Sequence, residues 1–548
     1  MTFRELLEMR AEKDGGKPFV YFKDQIIDFV TLDRKVNKAA NLLRDLGVKK
    51  GDHVCLFLPN CPEFLYLWFG LSKIGAIMVP LNTRLHEDGL AYVINNSDSK
   101  RIVVNEALYD AFNFVERDLK GIEQKIWHGE GNPSPENYYC LNTLMESASE
   151  NAPPAVNIKD GDPLAILYTS GSTGPPKGAM ISQFNYINIG TAWAKDIIGY
   201  REDDIIFSTL PLFHANAQMF TVMSCLVSGR PYVLGERFSP TLFFNEVRQY
   251  GATVLNLIGS MVTVLMKEPE RENDSDNQAR IASCGGTPRE IWEDFEKRFN
   301  LTLIEGYGLT ETGGVCLMNP RDKIKKGSIG KPTKFCDVTI WDENNREIPI
   351  GQNGEIVVKE KIPYSMFLGY YKQPDRTEDV WRGGRFHTGD MGYKDEEGYF
   401  FFIDRIKDCI RSHGQHVSSL EIEAIIKSNP KVLESAAVGI FSEFGEDEIK
   451  IYVIVKPDEK LEVEELIAFC EERMPYFWVP RYVEFVKELP KTSTQKIKKF
   501  ELKARGIGNA WDLEKTGYKL KMEKGVQLRL SQISQSDNQR IFLNKEEE

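Results

Sequence analysis

The sequence predicts an α/β protein with a large N-terminal domain, which contains a β-rich section, and a small α+β C-terminal domain. Two observations carry this prediction. From Val20 to about Phe400, helical apolar patterns alternate with short strand-like runs such as HVCLFLPN and RIVVN, as expected when helices connect the strands of a sheet. At 548 residues the chain is also too long for a single hydrophobic core, so several domains are expected.

Two later segments depart from this alternation. In the stretch from Lys325 to Val358, DENN and GQNG punctuate alternating strands with no helical pattern between them, which predicts the β-rich section. After Asp404, SAAVGIF and IKIYVIVK read as strands, and EVEELIAFCEERM reads as an amphipathic helix. We therefore predict an N-terminal domain over 1–404, a C-terminal domain over 405–507 and a polar tail over 508–548.

Composition excludes several classes of protein. The net charge of −12 gives no basic field that would gather nucleic acid or an anionic membrane. The apolar run from Phe64 to Leu81 is broken by Ser72, Lys73 and Pro80, so we expect a buried helix and strand rather than an integral membrane segment. The nine cysteines form no CxxC pairs, which predicts reduced thiols in a cytoplasmic protein and no structural zinc.

The segment YTSGSTGPPKG, from Tyr168 to Gly178, combines glycines, hydroxyls and one lysine. Glycines allow close backbone approach, and hydroxyls and an ammonium group suit phosphate oxygens. It is not a Walker A loop, because Pro176 stands where that pattern needs its second glycine. Apolar residues on both sides predict a turn between two strands. The alternative is an ordinary Gly/Pro turn without a ligand.

Three further segments could serve a nucleotide. LIEGYGLTETGG, from Leu303 to Gly314, offers an aromatic ring for a base, hydroxyls for phosphate and carboxylates for Mg²⁺. In RFHTGDMGY, Asp390 suits the paired hydroxyls of a ribose. LPKTSTQKIKK, from Leu489 to Lys499, is rich in lysine. Taken singly, each has an ordinary interpretation: a mobile loop, a turn and a solvated surface.

Their order along the chain is more specific. YTSGSTGPPKG, PLFHANAQ, SCGGTP, GYGLTE, TGD, DRIKD, the loop at Gly414 and PKTSTQK resemble the core motifs of the adenylate-forming superfamily. That superfamily contains acyl-CoA synthetases, amino-acid adenylation domains and beetle luciferases. The resemblance spans about residues 5 to 505. The VSSLEIE version of the Gly414 loop and the segment from Lys491 look most like the crotonobetaine/carnitine-CoA ligase branch.

The resemblance implies a reaction. The family joins a carboxylate to the α-phosphate of ATP with Mg²⁺, releases pyrophosphate, and transfers the acyl group from the adenylate to a thiol. We expect an ATP-dependent carboxylate–CoA ligase that produces an acyl-CoA thioester and AMP, with a carnitine-like or short- to medium-chain acid as substrate. Alternatives are an adenylation enzyme that loads a carrier protein, a luciferase-like oxygenase and a non-catalytic nucleotide-binding regulator. A homo-oligomer is left open.

The resemblance also implies site residues. Tyr307 would stack on adenine, Thr310 would bond the α-phosphate, Glu311 would hold Mg²⁺, and Asp390 and Arg405 would bind the ribose. The phosphate loop would contribute Thr169, Ser170, Gly171, Ser172, Thr173, Gly174 and Lys177, and the nucleotide site would also include Gly285, Gly286, Thr287, Glu305, Gly306 and Gly308.

The chemistry of adenylation, the CoA half-reaction and the acyl group involve further positions. Lys496 would be the catalytic lysine, whereas Lys491, Lys498 and Lys499 are expected to be solvated. The small domain would act as a lid that pivots at Lys407. The CoA site would contain Ser412, His413 and Gly414, and the acyl pocket His214, Ala215, Asn216, Asn256, Ile258 and Cys284, with His214 a catalytic candidate as well.

Three positions depart from the family pattern. Gln495 replaces the glycine before the catalytic lysine, Ser419 replaces a proline, and Gln183 stands where many relatives have histidine. None of these removes a charge that the mechanism needs. We expect Ser418 to cap the helix that begins at Ser419.

Overall fold

The computed structural model describes residues 1–129, 135–169, 175–412, 415–442, 446–491, 496–516 and 518, without the side chains of residues 415 and 416. The chain divides into two compact units. The first unit comprises Met1–Thr388 and Gly392–Phe402, and the second comprises Gly389–Met391 and the chain from Ile403 onward. The predicted α/β class, with a large N-terminal and a smaller C-terminal part, is confirmed. The predicted domain limits at 404 and 507 stay predictions.

Helices of both units begin and end as follows. They are α1 Phe3–Asp14, α2 Phe29–Asp45, α3 Pro62–Ile74, α4 Glu87–Asn96, α5 Tyr109–Val115, α6 Leu141–Ser147, α7 Gln183–Ala192, α8 Ser224–Ser228, α9 Phe243–Gln249, α10 Gly259–Lys267, α11 Arg289–Phe299, α12 Pro374–Val380, α13 Ser419–Lys427, α14 Val463–Glu471 and α15 Lys499–Ala504. Two π-helical turns, Trp193–Ile197 and Ala217–Met223, adjoin α7 and α8.

Strands occur in both units, and they alternate with the helices through most of the first unit. They are β1 Pro18–Phe22, β2 Gln25–Asp28, β3 His53–Phe57, β4 Ile77–Pro80, β5 Arg101–Asn105, β6 Gln124–His128, β7 Tyr139–Cys140, β8 Pro163–Thr169, β9 Lys177–Ser182, β10 Ile206–Ser208, β11 Tyr232–Leu234, β12 Val254–Asn256, β13 Ile281–Cys284, β14 Thr302–Tyr307, β15 Leu317–Met318, β16 Lys331–Pro332, β17 Cys336–Trp341, β18 Gly354–Glu360, β19 Trp381–Arg382, β20 Arg385–Lys394, β21 Phe400–Arg405, β22 Ile410–Ser412, β23 Gln415–Val417, β24 Val432–Phe441, β25 Asp447–Val455, β26 Tyr482–Phe485 and β27 Trp511–Asp512.

The first unit contains two large sheets. One runs in the order β16-β15-β14-β13-β12-β10-β11-β1-β2, and its central strands from β14 to β1 are parallel. The other runs β7-β6-β5-β3-β4-β8-β9, and its last pair is antiparallel. Parallel strands need covered faces on both sides, and large side chains such as Trp68, Tyr186 and Trp292 are fully buried in this unit.

The expected buried helix and strand between Phe64 and Leu81 are confirmed: they are α3 from Phe64 onward and β4, and both are almost entirely buried. None of the described helices is both long and apolar enough to cross a membrane. The β-rich section is confirmed as well, since β16, β17 and β18 follow one another without a helix. Strands β17 and β18 pair antiparallel along their whole length.

The second unit has its own core. Strands β24, β25, β26 and β27 form one sheet in that order, and β22 pairs with β23. Helix α14 buries Leu466, Ile467 and Cys470, which confirms the predicted apolar face. Ser418 Oγ accepts a hydrogen bond from the backbone N–H of Glu421 at 3.3 Å, so the predicted cap of α13 is present.

Candidate active site

The predicted phosphate loop joins two antiparallel strands. Thr169 ends β8 and Lys177 begins β9, and the two residues lie directly opposite each other. The prediction that strands flank this loop is confirmed. The predicted ligands Ser170, Gly171, Ser172, Thr173 and Gly174 lie outside the described residues. The described ends of the loop therefore supply one hydroxyl and one ammonium group.

Glu311 lies buried beside these ends. Its Oε1 accepts hydrogen bonds from Tyr370 Oη at 2.9 Å and from Thr169 Oγ1 at 3.4 Å. The Nζ of Lys177 lies 4.9 Å from the centroid of the Tyr370 ring. Burial first and the Arg376 guanidinium second lower the pKa of Lys177, while Glu311 acts to raise it. Thr169, Lys177 and Glu311, which the family resemblance assigned to phosphate and metal, therefore lie together near Tyr370.

A tight turn after β14 presents Thr310 and Glu311. The carbonyl oxygen of Thr310 accepts a hydrogen bond from Gly313 N at 3.1 Å, and Asn185 Nδ2 donates to Gly313 O at 3.3 Å. Gly308 has no room for a side chain, because a Cβ there would lie 1.7 Å from a carbonyl oxygen of the same turn. The backbone of the turn is thereby fixed from two sides.

The residues predicted to line the nucleotide site around the base lie at the carboxyl ends of neighbouring parallel strands. Glu305 on β14 lies opposite Cys284, the last residue of β13. Its buried carboxylate accepts hydrogen bonds from the N–H groups of Gly286 at 2.6 Å and Thr287 at 3.0 Å. Burial raises the pKa of Glu305 to about 7, against the lowering effect of these donors. Ligands of open α/β sheets bind at this edge.

Tyr307 ends β14, two residues beyond Glu305. Its half-buried ring lies 6.3 Å from the ring centroid of Phe402, at an interplanar angle of 32°. Gly306 is enclosed, since a Cβ there would lie 2.2 Å from the sulfur of Met318, whereas Gly285 is exposed. An aromatic ring and an exposed glycine at adjacent strand ends suit a flat base, and stacking by Tyr307 stays a prediction.

The predicted ribose ligands belong to the second unit. Arg405 Nε lies 2.7 Å from Oδ1 of the buried Asp390. Desolvation by the surrounding protein atoms first and the positive charge of Arg405 second lower the pKa of Lys496, whereas the negative charge of Asp390 acts to raise it. Lys496 is nevertheless exposed, so its charged neighbours, rather than burial, define its environment. The second unit thus groups Asp390, Arg405 and Lys496.

The hinge and the CoA residues are only partly described. Lys407 is exposed in a turn where Asp408 N and Cys409 N both donate to Arg405 O, at 2.9 and 2.8 Å. Ser412 is buried at the end of β22. His413 and Gly414 lie outside the described residues, so the CoA site stays a prediction.

The predicted acyl pocket contains a fixed polar network. Asn256 Nδ2 donates to Asn216 Oδ1 at 2.7 Å and to Thr221 Oγ1 at 2.9 Å, and Ser283 Oγ donates to Asn256 Oδ1 at 3.2 Å. These side chains carry no charge. We call Asn216, Thr221, Asn256 and Ser283 the asparagine network.

The other predicted pocket residues are close neighbours of the asparagine network in the sequence. His214 is exposed, with its ring 4.4 Å from that of Phe213. Ala215 is half-buried, Ile258 is exposed, and burial raises the pKa of the Cys284 thiol. Asn216 and Asn256 are therefore brought together, whereas a catalytic role for His214 stays a prediction.

One expectation was wrong. Lys499 is not solvated: its side chain is 11% exposed, and its Nζ lies 2.7 Å from Glu423 Oε1 and donates to Ser419 Oγ at 2.6 Å. Ser419 in turn donates through its N–H to Asp404 at 2.8 Å. The first residue of α15 is thus buried against the start of α13, a contact between distant segments that the lysine-rich pattern does not predict.

Sequence reasoning also missed Tyr370 and Asn185. Tyr370 lies 59 residues after Glu311, in the segment FLGYYKQP, and contacts it only through the fold. Asn185 follows the phosphate loop on α7 and reaches the turn after β14. The available signal for Tyr370 was a tyrosine doublet beside glycine and proline, a composition that is also typical of an ordinary loop.

Two family models match the chain. One, described as AMP-binding enzyme, covers residues 7–371, and one described as AMP-binding enzyme C-terminal domain covers residues 421–496. A crotonobetaine/carnitine–CoA ligase of Citrobacter koseri is 34% identical over 513 residues, which is 92% of this chain and 99% of that protein.

Solved structures with the same fold span nearly the whole chain. An anthranilate CoA ligase in complex with anthranoyl-AMP has a TM-score of 0.83 at 24% identity, covering 92% of this chain and 97% of that one. ATP-bound MatB from Rhodopseudomonas palustris has a TM-score of 0.81 at 25% identity, with 92% and 99% covered.

Proposed function

We propose, on the premise that this chain belongs to the AMP-binding enzyme family, that it is an AMP-forming acid–CoA ligase. The observation that carries the proposal is the meeting of Thr169, Lys177 and Glu311 at the ends of the phosphate loop. A hydroxyl, a cation and a carboxylate in one place suit a metal–nucleotide complex. The relatives named CoA ligases cover this chain over more than nine-tenths of its length.

The first half-reaction activates the acid. A carboxylate oxygen attacks the α-phosphorus of ATP, the bond to the bridging oxygen breaks, and pyrophosphate leaves with that oxygen. Lys177 and Thr310 neutralise and orient the phosphates. Lys496 stabilises negative charge where the carboxylate attacks, a contact made mainly in the transition state.

The residues present fit a magnesium ion. Mg²⁺ typically binds one or two carboxylates together with substrate phosphates and water, so it does not need a large cluster of protein ligands. The described residues contain no such cluster of three or more His, Cys, Asp or Glu side chains, but the buried Glu311 supplies one carboxylate beside the ends of the phosphate loop. Glu311 would hold the ion. When bound, the ion offsets charge that builds on the phosphates.

The second half-reaction transfers the acyl group. The sulfur of CoA attacks the carbonyl carbon of the adenylate, the thiol proton is released, and AMP departs with the former carboxylate oxygen. We propose that the second unit turns at Lys407 between the two steps, so that one active site serves both. In support, the chain passes into the second unit between Phe402 and Ile403, only four residues before this exposed lysine.

We propose a short, carnitine-like acid as the substrate. The asparagine network offers neutral hydrogen-bonding groups to a substituent such as a hydroxyl. The relatives named for crotonobetaine and carnitine support the same choice.

A substrate panel tests this proposal. The protein is incubated with Mg²⁺, ATP, CoA and carnitine, crotonobetaine, butyrate or octanoate, and AMP and thioester are quantified by mass spectrometry. We expect one AMP per thioester and the highest kcat/KM for carnitine-like acids. A preference for octanoate would contradict the substrate class. AMP without thioester would favour carrier loading, and neither product with any acid would favour a non-catalytic regulator.

We also propose a cytoplasmic location. All nine cysteines are free thiols, as expected in a reducing compartment. ATP and CoA, the proposed substrates, are small charged molecules that the chain would meet there.

A further inference from the structure

Tyr370 lies in a segment that runs along the strand of the phosphate loop. Leu368 N donates to Met180 O at 2.8 Å, Met180 N donates to Gly369 O at 3.0 Å, and Tyr371 N donates to Gly178 O at 2.8 Å. These bonds pair the segment with β9. Tyr370 consequently lies opposite Ala179, close to Lys177 at the start of the strand.

The backbone and ring of Tyr370 are held from further directions. Its N–H donates to Thr377 Oγ1 at 2.9 Å, and its ring packs edge-on against Phe367 with centroids 5.1 Å apart. Phe367 N also donates to the carbonyl oxygen of Glu311 at 3.1 Å. The side chain is buried. The phenol therefore reaches Glu311 from a support that leaves little freedom to either residue.

The two oxygens of the Glu311 carboxylate are in different situations. Oε1 accepts from Tyr370 Oη at 2.9 Å and from Thr169 Oγ1 at 3.4 Å. Oε2 accepts no hydrogen bond from a side chain or backbone group within the described ranges. With Oε1 so engaged, Oε2 is the oxygen that remains for a cation.

We propose that Tyr370 is a positioning residue for the magnesium–nucleotide complex: its hydroxyl orients Glu311 so that Oε2 faces the metal, and its ring holds Lys177. This inference rests on the proposed metal role of Glu311. Glu311 is the carboxylate that would hold the metal, so the orientation of its two oxygens matters directly for metal binding. A hydrogen bond that fixes the orientation of a metal ligand commonly changes metal affinity about 10- to 100-fold.

Tyr370→Phe separates the two contacts, because it removes the hydroxyl and keeps the ring under Lys177. Tyr371→Phe is the matched control: the neighbouring phenol donates to Asp98 at 2.8 Å, away from Glu311. The probe is Mn²⁺, whose binding to the protein–ATP mixture is followed by electron paramagnetic resonance. Binding of ATP without metal is measured by calorimetry, and folding is checked by thermal denaturation.

We expect Tyr370→Phe to weaken Mn²⁺ binding about 10-fold while Tyr371→Phe leaves it unchanged. ATP binding without metal should stay within about twofold in Tyr370→Phe and fall in Tyr370→Leu, which also removes the ring that holds Lys177. Unchanged Mn²⁺ affinity in Tyr370→Phe would overturn the proposal, as would equal losses of ATP affinity with and without metal.

A double-mutant cycle keeps the result interpretable if Tyr370→Phe also lowers stability. In a Glu311→Gln background, Tyr370→Phe should cause no further loss of Mn²⁺ affinity, because the oriented ligand is already gone. Additive losses would refute the link. A wild-type protein that binds Mn²⁺ and ATP but produces no adenylate would refute the proposed function alone, since these binding tests do not require turnover.

Discussion

The buried carboxyl of Glu305 gives a pH-dependent prediction. Its pKa is about 7 in the folded protein, against an ordinary value of 4.5. The folded state therefore binds the proton more tightly than the unfolded state does. Between pH 4.5 and 7 this residue should lower the free energy of unfolding as pH rises, by about 3 kcal/mol in total, since each pKa unit corresponds to about 1.4 kcal/mol.

Glu305→Gln removes this titration. Like the protonated acid, glutamine keeps one oxygen acceptor for the N–H groups of Gly286 and Thr287. Wild type and variant should therefore unfold at similar temperatures at pH 5. At pH 8.5 the wild type carries the buried charge, and the variant should melt about 4 °C higher, the shift expected for about 3 kcal/mol in a unit of about 400 residues.

The assay is differential scanning calorimetry of both proteins at pH 5 and pH 8.5, at a fixed protein concentration. The quantity of interest is the difference between variant and wild type at each pH, because other groups titrate equally in both. A difference in melting temperature that is the same at the two pH values would refute the raised pKa. If the variant were less stable than the wild type, and by a larger margin at pH 8.5 than at pH 5, the pKa of Glu305 would be lowered rather than raised.

Three further predictions concern the metal ligand, the catalytic lysine and the buried lysine of the second unit. Glu311→Gln should abolish most Mg²⁺-dependent pyrophosphate exchange, and unchanged Mg²⁺ dependence would contradict its role. Lys496→Ala should slow adenylate formation about 10²-fold but leave thioester formation from synthetic acyl-AMP near normal; equal damage to both steps would contradict alternation. Lys499→Met removes the cation that is paired with the buried Glu423 and should destabilise the second unit by about 3 kcal/mol. Lys498 is partly exposed, so Lys498→Met should cost under about 1 kcal/mol. Similar losses in the two variants would contradict the burial of the Lys499–Glu423 pair.

The strands and loops that carry the site could be predicted because local sequence determines them. Hydrophobic residues flanking YTSGSTGPPKG predict β8 and β9, and the pattern around DENN and GQNG predicts the β-rich section. Motif order predicted the family, which the comparisons confirm.

Contacts between distant segments could not be predicted in the same way. Lys499 and Tyr370 look like an ordinary surface lysine and an ordinary loop tyrosine, because their partners Glu423 and Glu311 lie 76 and 59 residues earlier in the sequence. Burial of such residues depends on the packing of whole elements, here α15 against α13 and the Tyr370 segment against β9. The raised pKa of Glu305 follows from burial in the same way.

Isotope transfer shows whether the acid is activated as an adenylate. The accepted carboxylic acid is labelled with ¹⁸O in both carboxylate oxygens and incubated with Mg²⁺, ATP and CoA, and the products are weighed by mass spectrometry. Attack of the carboxylate on the α-phosphorus predicts one ¹⁸O atom in AMP and one in the thioester, with none in pyrophosphate. Label in inorganic phosphate, together with ADP in place of AMP, would contradict the account.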